Sequence, residues 1–266
     1  MKAKVLIPVG YGLNCEDETE NAFRLAGGEV EKMFIKDLEK APERILDYQI
    51  VVLVGGFAYA DHVAAGTILK NKLKYSMEKE LQKFVDDGRL IIGICNGFQV
   101  LVKIGLLPGF DKEYREQIAT LTANASGKFE DRWIRVKANE KSNCIFTKGI
   151  KELHMPVRHG EGKFIADDSV LNRLEKENRV ALRYCDEKTR EPTMKYPDNP
   201  NGALRAIAGI CNKEGNAFGL MPHPEATLNP YLNPEWPRLK VKGIVPDIPA
   251  LQIFSNAVSH ATENLV

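Results

Sequence analysis

The sequence Leu90-Ile91-Ile92-Gly93-Ile94-Cys95-Asn96-Gly97 joins a continuous apolar run to a cysteine flanked by glycines. An apolar run without polar alternation predicts a strand covered on both faces, and the helical spacing that follows predicts a strand–turn–helix elbow. Gly93 and Gly97 keep side chains out of this sharp turn, which pushes Cys95 outward. The N-terminus of the following helix favours the thiolate. The stretch therefore predicts a nucleophile rather than a buried structural cysteine.

Strands and helices alternate around this elbow. Asn14 is predicted to cap a first helix that ends at Gly27, and the chain from 229 to 249, with five prolines, is predicted to be a long irregular excursion. The pattern predicts one domain over residues 1–266, an α/β fold with an open, mostly parallel, flavodoxin-like sheet flanked by helices and extended by antiparallel strands. Strands are predicted at 5–9, 30–35, 50–54, 90–94, 118–122, 133–137, 153–157, 180–184, 205–211 and 217–221. Helices are predicted at 42–47, at 77–85 with Gly88 as the stop, and at 250–263.

Composition excludes several classes of protein. The 266 residues are 44% hydrophobic and 27% charged, which is typical of a globular protein rather than a disordered, fibrous or disulfide-rich one. The net charge of +1 offers no global field for nucleic acid or a membrane surface, so neither partner is expected. Five cysteines without a CxxC pair predict reduced thiols, and the amino end shows no signal-peptide pattern, so a cytoplasmic location is predicted.

The segment Met221-Pro222-His223-Pro224-Glu225 provides a base and a group to orient it. Residues two apart in an extended segment point the same way, so His223 and Glu225 are expected side by side, with the prolines stiffening the backbone. His-Pro-Glu alone is more often a surface turn, but together with a nucleophile elbow it predicts a Cys95–His223–Glu225 triad. The sequence has no HExxH motif and no Cys/His cluster, so no metal site is expected.

Two backbone N–H groups are predicted to stabilise the oxyanion of acyl transfer. Gly55-Gly56 ends the strand at 50–54, which places the N–H of Gly56 at the carboxyl edge of the sheet, and Asn96 follows the nucleophile directly. The alternatives for Gly55-Gly56 are a plain tight turn or a phosphate-binding loop. Because the phosphate-binding patterns GxxxxGK[ST] and GxGxxG are both missing, a nucleotide site of the usual kinds is rejected.

These motifs resemble those of the class I, triad-type glutamine amidotransferases. The segment 93–99 is similar to the nucleophile motif of that superfamily, and His223-Pro224-Glu225 to its His-x-Glu motif. Where the family usually has Ser and Gly, this chain has Ala58 and Ala60. Six further segments are similar to a branch of glutaminase subunits that serves purine biosynthesis: Asn14-Cys15-Glu16, Gly55–Asp61, Asn124–Phe129, Arg132-Trp133, His159–Gly162 and Asn199–Gly202.

The resemblance implies hydrolysis of glutamine through a γ-glutamyl thioester on Cys95, with His223 moving the protons. The ammonia would pass to a separate synthetase subunit that uses ATP to convert formylglycinamide ribonucleotide to its amidine, and a small third subunit is expected in the complex. No cofactor is expected in this chain, since ATP and Mg²⁺ belong to the synthetase subunit. The residues expected to bind substrate are Gly55, Phe57, Gln99, His159 and Glu161.

Two alternatives stay open at this point. One is another triad-type amidotransferase or a γ-glutamyl hydrolase, against which the segments at 124–129 and 199–202 count. The other is a scaffold subunit that keeps the fold without turnover, and the intact set of Cys95, His223 and Glu225 counts against it.

Overall fold

A nine-stranded mixed sheet forms the centre of the computed structural model, which describes residues 2–112, 114, 116–244 and 247–266. The strands are β1 (Lys4–Val9), β2 (Glu29–Phe34), β3 (Ile50–Leu53), β4 (Leu90–Ile94), β5 (Ala119–Thr122), β6 (Glu130–Ala138), β7 (Glu152–His159), β8 (Lys163–Ala166), β9 (Val180–Cys185), β10 (Ile207–Cys211) and β11 (Ala217–Leu220). The order in the main sheet is β2-β1-β3-β4-β11-β10-β9-β6-β7, and β5 pairs with β8 separately. The α/β prediction is confirmed.

The sheet changes direction at β11. Strands β2, β1, β3, β4 and β11 are parallel neighbours, whereas β11-β10-β9-β6-β7 pair antiparallel. The sequence pattern predicts mostly antiparallel strands from about residue 118 onward, and β11 departs from this prediction because it also pairs in parallel with β4. A tight turn after β10 reverses the chain, which gives β11 the direction of β4. The carboxyl ends of β4 and β11 therefore lie side by side.

Helices flank the sheet in packed pairs. α1 packs against α7, with the Phe23 and Phe254 rings 5.0 Å apart, and α3 packs against α4. Within the described ranges, no helix has the length and apolar content needed to cross a bilayer. The helices are α1 (Glu16–Leu25), α2 (Ile35–Lys40), α3 (Thr67–Asp86), α4 (Asn96–Lys103), α5 (Asp168–Lys176), α6 (Trp236–Val241) and α7 (Leu251–Asn264).

Several details differ from the sequence prediction. The N-cap of α1 is Cys15 rather than Asn14, and it makes no side-chain capping bond. The side-chain oxygen Oδ1 of Asn14 instead accepts from the Cys15 thiol at 3.5 Å. The acidic first turn already suits the positive end of the helix dipole. The excursion at 229–249 contains the short helix α6, whose Pro237 stands in the first turn, where a missing N–H costs little. Pro246, also counted in that excursion, lies outside the described residues.

Candidate active site

Cys95 occupies a strained turn between β4 and α4. Its φ of 51° and ψ of −103° are unusual for a residue with a side chain, and its N–H donates to the carbonyl oxygen of Leu220 at 2.8 Å. A Cβ on Gly97 would lie 1.8 Å from the carbonyl oxygen of Leu53, and one on Gly93 would lie 2.5 Å from that of Gly97. The flanking glycines are therefore sterically required, as expected of a nucleophile elbow.

His223 and Glu225 form a short buried pair. The Nδ1 atom of His223 is 2.5 Å from Oε1 of Glu225, and both side chains are almost fully buried. The other ring nitrogen, Nε2, is buried without a hydrogen-bond partner among the described residues. Since Nδ1 is occupied by the carboxylate, Nε2 is the atom left to exchange a proton with a thiol or a substrate.

The electrostatic surroundings favour the charged form of His223. Burial opposes the imidazolium, but the negative charge of Glu225 and the interaction with the Cys95 thiol outweigh it, so the pKa of His223 lies well above its usual value. This direction favours the imidazolium, which is the form that donates a proton to a leaving amine.

The Gly55-Gly56 loop lies directly against this imidazole. A Cβ on Gly55 would lie 2.8 Å from Cε1 of His223, so only glycine fits at that position. The backbone bonds from Asn14 N to Gly55 O and from Phe57 N to Gly12 O, at 3.4 and 2.7 Å, do not use the N–H of Gly56. Gly56 has φ of +142°. The contact of Gly55 with His223 places this loop beside the triad, and the contribution of the Gly56 and Asn96 N–H groups to an oxyanion hole stays a prediction.

Gln99 and Glu161 belong to a polar network behind the nucleophile. The Gln99 side chain donates to the backbone oxygen of Glu161 at 2.6 Å and accepts from the Asn96 amide at 3.1 Å. Asn96 also donates to Asp61 at 3.3 Å, and the Glu161 carboxylate accepts from the N–H of Ala65 at 3.2 Å. The network thus joins the elbow to two loops that border it. Direct contact of these side chains with substrate stays a prediction.

His159 is held between two asparagines. Its Nδ1 lies 3.1 Å from Oδ1 of Asn124 and its Nε2 lies 3.5 Å from Nδ2 of Asn201. Burial, together with the nearby His223, lowers the pKa of His159 to about 3, so this imidazole is neutral. Asn124 also accepts from the N–H of Gly162 at 2.9 Å, so these contacts fix the loop that follows β7. The expected contact of His159 with glutamine stays a prediction.

A cavity of about 170 Å³ opens beside His223. Phe57, which is 43% exposed, stands at its rim with its ring centroid 6.2 Å from that of Phe129. Sequence reasoning assigned no role to Cys15 and did not consider Arg158, yet both line this cavity. The Asn14-Cys15-Glu16 motif could have indicated that Cys15 lies in the site. For Arg158, the only indication in the sequence is its position directly before His159. The lining residues are Asn14, Cys15, Glu18, Gly56, Phe57, Phe129, Arg158 and His223.

The cluster of Cys15, His223 and Glu225 does not fit a metal ion well. Their sulfur, nitrogen and oxygen atoms lie within 4.8 Å of one another. However, Nδ1 of His223 is already bonded to Glu225, and the Arg158 guanidinium lies 3.5 Å from the same nitrogen, so a cation would face a like charge there. Burial is the main cause that raises the pKa of the Cys15 thiol, which favours the neutral form over a thiolate ligand.

The loop after Phe57 holds non-glycine residues in the left-handed region. Tyr59, Ala60 and Asp61 have φ of 55°, 56° and 52°. A left-handed conformation costs a residue with a Cβ about 1–2 kcal/mol, and the greater entropy of an unfolded glycine cancels about 0.5–1 kcal/mol of any relief. We expect Ala60→Gly to stabilise the protein by about 0.5–1 kcal/mol, measured by chemical unfolding. Ala58→Gly, at a position where φ is not positive, should destabilise it instead; equal effects of the two changes would contradict the strain argument.

Almost the whole chain is similar to proteins of one known family. A family model described as the CobB/CobQ-like glutamine amidotransferase domain matches residues 2–261. The phosphoribosylformylglycinamidine synthase subunit PurQ of Methanococcus maripaludis strain C5 is 42% identical over 267 residues, covering 98% of this chain and 99% of the relative. The protein of the same name from Dehalococcoides mccartyi strain ATCC BAA-2266 is 43% identical over 262 residues, with coverages of 98% and 99%.

Solved structures show the same fold. A chain of the structure entitled "Structure of PurLQS from Thermotoga maritima" superposes with a TM-score of 0.72 at 27% identity, over 98% of this chain and 99% of that one. A glutamine amidotransferase of Thermotoga maritima, 17% identical over 99% of both chains, has a TM-score of 0.51 and supports the fold alone.

Proposed function

The chain belongs to the CobB/CobQ-like glutamine amidotransferase family, and from this membership and the site we propose that Cys95, His223 and Glu225 hydrolyse glutamine. The chain is the glutamine amidotransferase component of a phosphoribosylformylglycinamidine synthase. The observation that carries the residue assignment is the buried His223–Glu225 pair beside the elbow, with Nε2 unoccupied.

The proposed reaction has two halves. The Cys95 thiolate attacks the side-chain amide carbon of glutamine, the carbon–nitrogen bond breaks, and ammonia leaves with a proton from His223. A water molecule then attacks the γ-glutamyl thioester, His223 takes its proton, and the carbon–sulfur bond breaks to release glutamate and the thiolate. The N–H groups of Gly56 and Asn96 would stabilise the oxyanion in both halves, each worth about 10²–10³ in rate. Glu225 keeps the imidazole oriented throughout.

The ammonia requires a second subunit. The chain acts in a complex with a synthetase subunit. Its proposed acceptor chemistry is the ATP-dependent conversion of formylglycinamide ribonucleotide to its amidine, with ATP and Mg²⁺ bound by the synthetase subunit and a small third subunit completing the complex. We place this complex in the cytoplasm, which agrees with five free thiols at Cys15, Cys95, Cys144, Cys185 and Cys211, all in the described part of the chain.

The assignment is tested by labelling with a glutamine-mimicking electrophile. Peptide mass spectrometry should find a single adduct on Cys95, and excess glutamine should block it. Iodoacetamide on the unfolded chain counts all five thiols as the reference. If labelling spreads over several cysteines, alone and with the synthetase subunit present, the site is not catalytic and a scaffold role is favoured.

Glu225→Gln should lower turnover by about 10²–10⁴-fold while the fold persists, since the amide no longer favours the imidazole orientation and tautomer that the reaction needs. The measurement is glutaminase activity in the complex, with thermal unfolding of both proteins. Glu31→Gln is the matched control, because Glu31 is on the edge strand β2, away from the triad, and likewise accepts a 2.5 Å hydrogen bond, from the Tyr48 hydroxyl. Wild-type activity in Glu225→Gln would remove this carboxylate from the triad.

A further inference from the structure

The Arg158 guanidinium bridges the triad to helix α1. Its Nη2 atom lies 3.0 Å from Oε2 of Glu18, 3.5 Å from Nδ1 of His223 and 3.9 Å from Oε1 of Glu225. We propose that Arg158 is a positioning residue that sets the proton affinity of the Cys95–His223 pair, and that Glu18 sets how strongly it acts. This inference rests on the proposed function, because it concerns the same site.

Arg158 approaches the triad with both its backbone and its side chain. It is near the end of β7, where its carbonyl oxygen lies 3.8 Å from Sγ of Cys95. Its side chain is one-third exposed, and its Nε is buried without a hydrogen-bond partner among the described residues. A guanidinium held only for packing would not need to end between two carboxylates. We therefore infer that the positive charge of Arg158 acts on the His223–Glu225 pair.

The charges around His223 come from four parts of the fold. Glu225 follows in the same segment, Cys95 is in the elbow, Cys15 precedes α1, and Arg158 and His159 end β7. Glu225 and the two thiols favour the imidazolium, whereas His159 is neutral. Arg158 is the one cation among these five groups, and Glu18 on α1 offsets part of its charge. The charges of Arg158 and Glu18 thus have opposite effects on the protonation of His223.

The sign of the effect does not depend on which group holds the proton. Losing one proton makes the Cys95–His223 pair more negative, and a nearby cation favours that change. Arg158→Gln should therefore move the pH profile of the pair to higher pH, and Glu18→Gln should move it to lower pH. A charge at 4–6 Å shifts a buried group by about 1–3 pH units, but partial exposure reduces this, so we expect shifts of about 0.5–1 unit.

The experiment measures the rate of Cys95 alkylation by iodoacetamide against pH, on the full chain, by peptide mass spectrometry. Arg158→Lys keeps the charge and should return the midpoint toward the wild-type value, which a purely structural role would not predict. Arg173→Gln is the matched control, because Arg173 is a similarly exposed arginine on α5 that pairs with Asp111 and Glu177 instead. Its midpoint should equal that of the wild type.

The outcomes distinguish a failure of the role proposed for Arg158 from a failure of the proposed glutaminase function. Opposite shifts for Arg158→Gln and Glu18→Gln support the inference. If Cys95 reacts selectively in the wild type but both midpoints stay within about 0.2 unit of it, only the inference is overturned. If Cys95 of the wild type reacts no faster than the other cysteines at any pH, the proposed function fails, and this inference fails with it.

Discussion

Replacing Cys95 by alanine is expected to lower glutaminase activity by at least about 10⁴-fold, because no thioester can then form. The nucleophile of a triad acts as a unit with its base, so the remaining His223 and the oxyanion donors support only a small residual rate. The fold should persist, since the change removes one buried sulfur and leaves the backbone of the elbow in place. The loss is therefore chemical.

The measurement is ammonia release from glutamine in the complex with the synthetase subunit, together with circular dichroism of the free chain. Cys144→Ala is the control, because Cys144 is equally buried but lies before the turn at 145–147, away from the elbow. Full turnover in Cys95→Ala would exclude the covalent route. It would leave the chain as a subunit whose contribution is assembly alone.

The second large effect concerns the fold. A side chain at position 97 should prevent folding, because its Cβ would lie 1.8 Å from the carbonyl oxygen of Leu53, in the buried backbone of β3. Neither the strand nor the elbow is able to move without breaking the parallel ladder between β3 and β4. We expect Gly97→Val to cost more than about 4 kcal/mol, a large share of the roughly 5–15 kcal/mol that stabilises a domain.

Soluble yield and the unfolding midpoint measure this cost. Gly88→Ala separates steric overlap from backbone strain, since Gly88 has φ of +79° and a Cβ there would meet nothing within 4 Å. That control should lose only about 0.5–1 kcal/mol, because the smaller entropy of the unfolded alanine offsets part of the left-handed strain. If Gly97→Val were soluble with an unchanged midpoint, the sharp turn around Cys95 would not exist in solution.

Local patterns in the sequence were sufficient for the elbow and for most strands. Gly93, Cys95 and Gly97 lie within five positions, and His223 and Glu225 are two apart, so their relation is a property of short segments. Short or half-exposed elements such as β8 and α2 were missed, because only a few of their side chains reach the core. Periodicity is a weak signal in such segments.

Contacts between distant segments could not be predicted in this way. Arg158 and Glu18 are 140 positions apart, and the sequence around neither residue predicts that they form an ion pair beside His223. Likewise, the predicted role of His159 rested on resemblance, whereas its bonds to Asn124 and Asn201 arise only when the end of β7 meets two distant loops. Ion pairs between distant residues form only when the chain packs, so the spacing of residues along the sequence does not predict them.

The parallel pairing of β4 with β11 brings together two segments that are far apart in the chain. Ile94 is in register with Leu220, so one ladder bond fixes the span between the thiol and the imidazole, whatever lies between them in the chain. The residues from the end of α4 to the start of β11 include β10, β9, β6 and β7 of the same sheet, together with the loops that join them. Insertions in the exposed loops of this stretch would leave the span between thiol and imidazole unchanged, whereas changes at Arg158 or His159 would alter the groups around the imidazole.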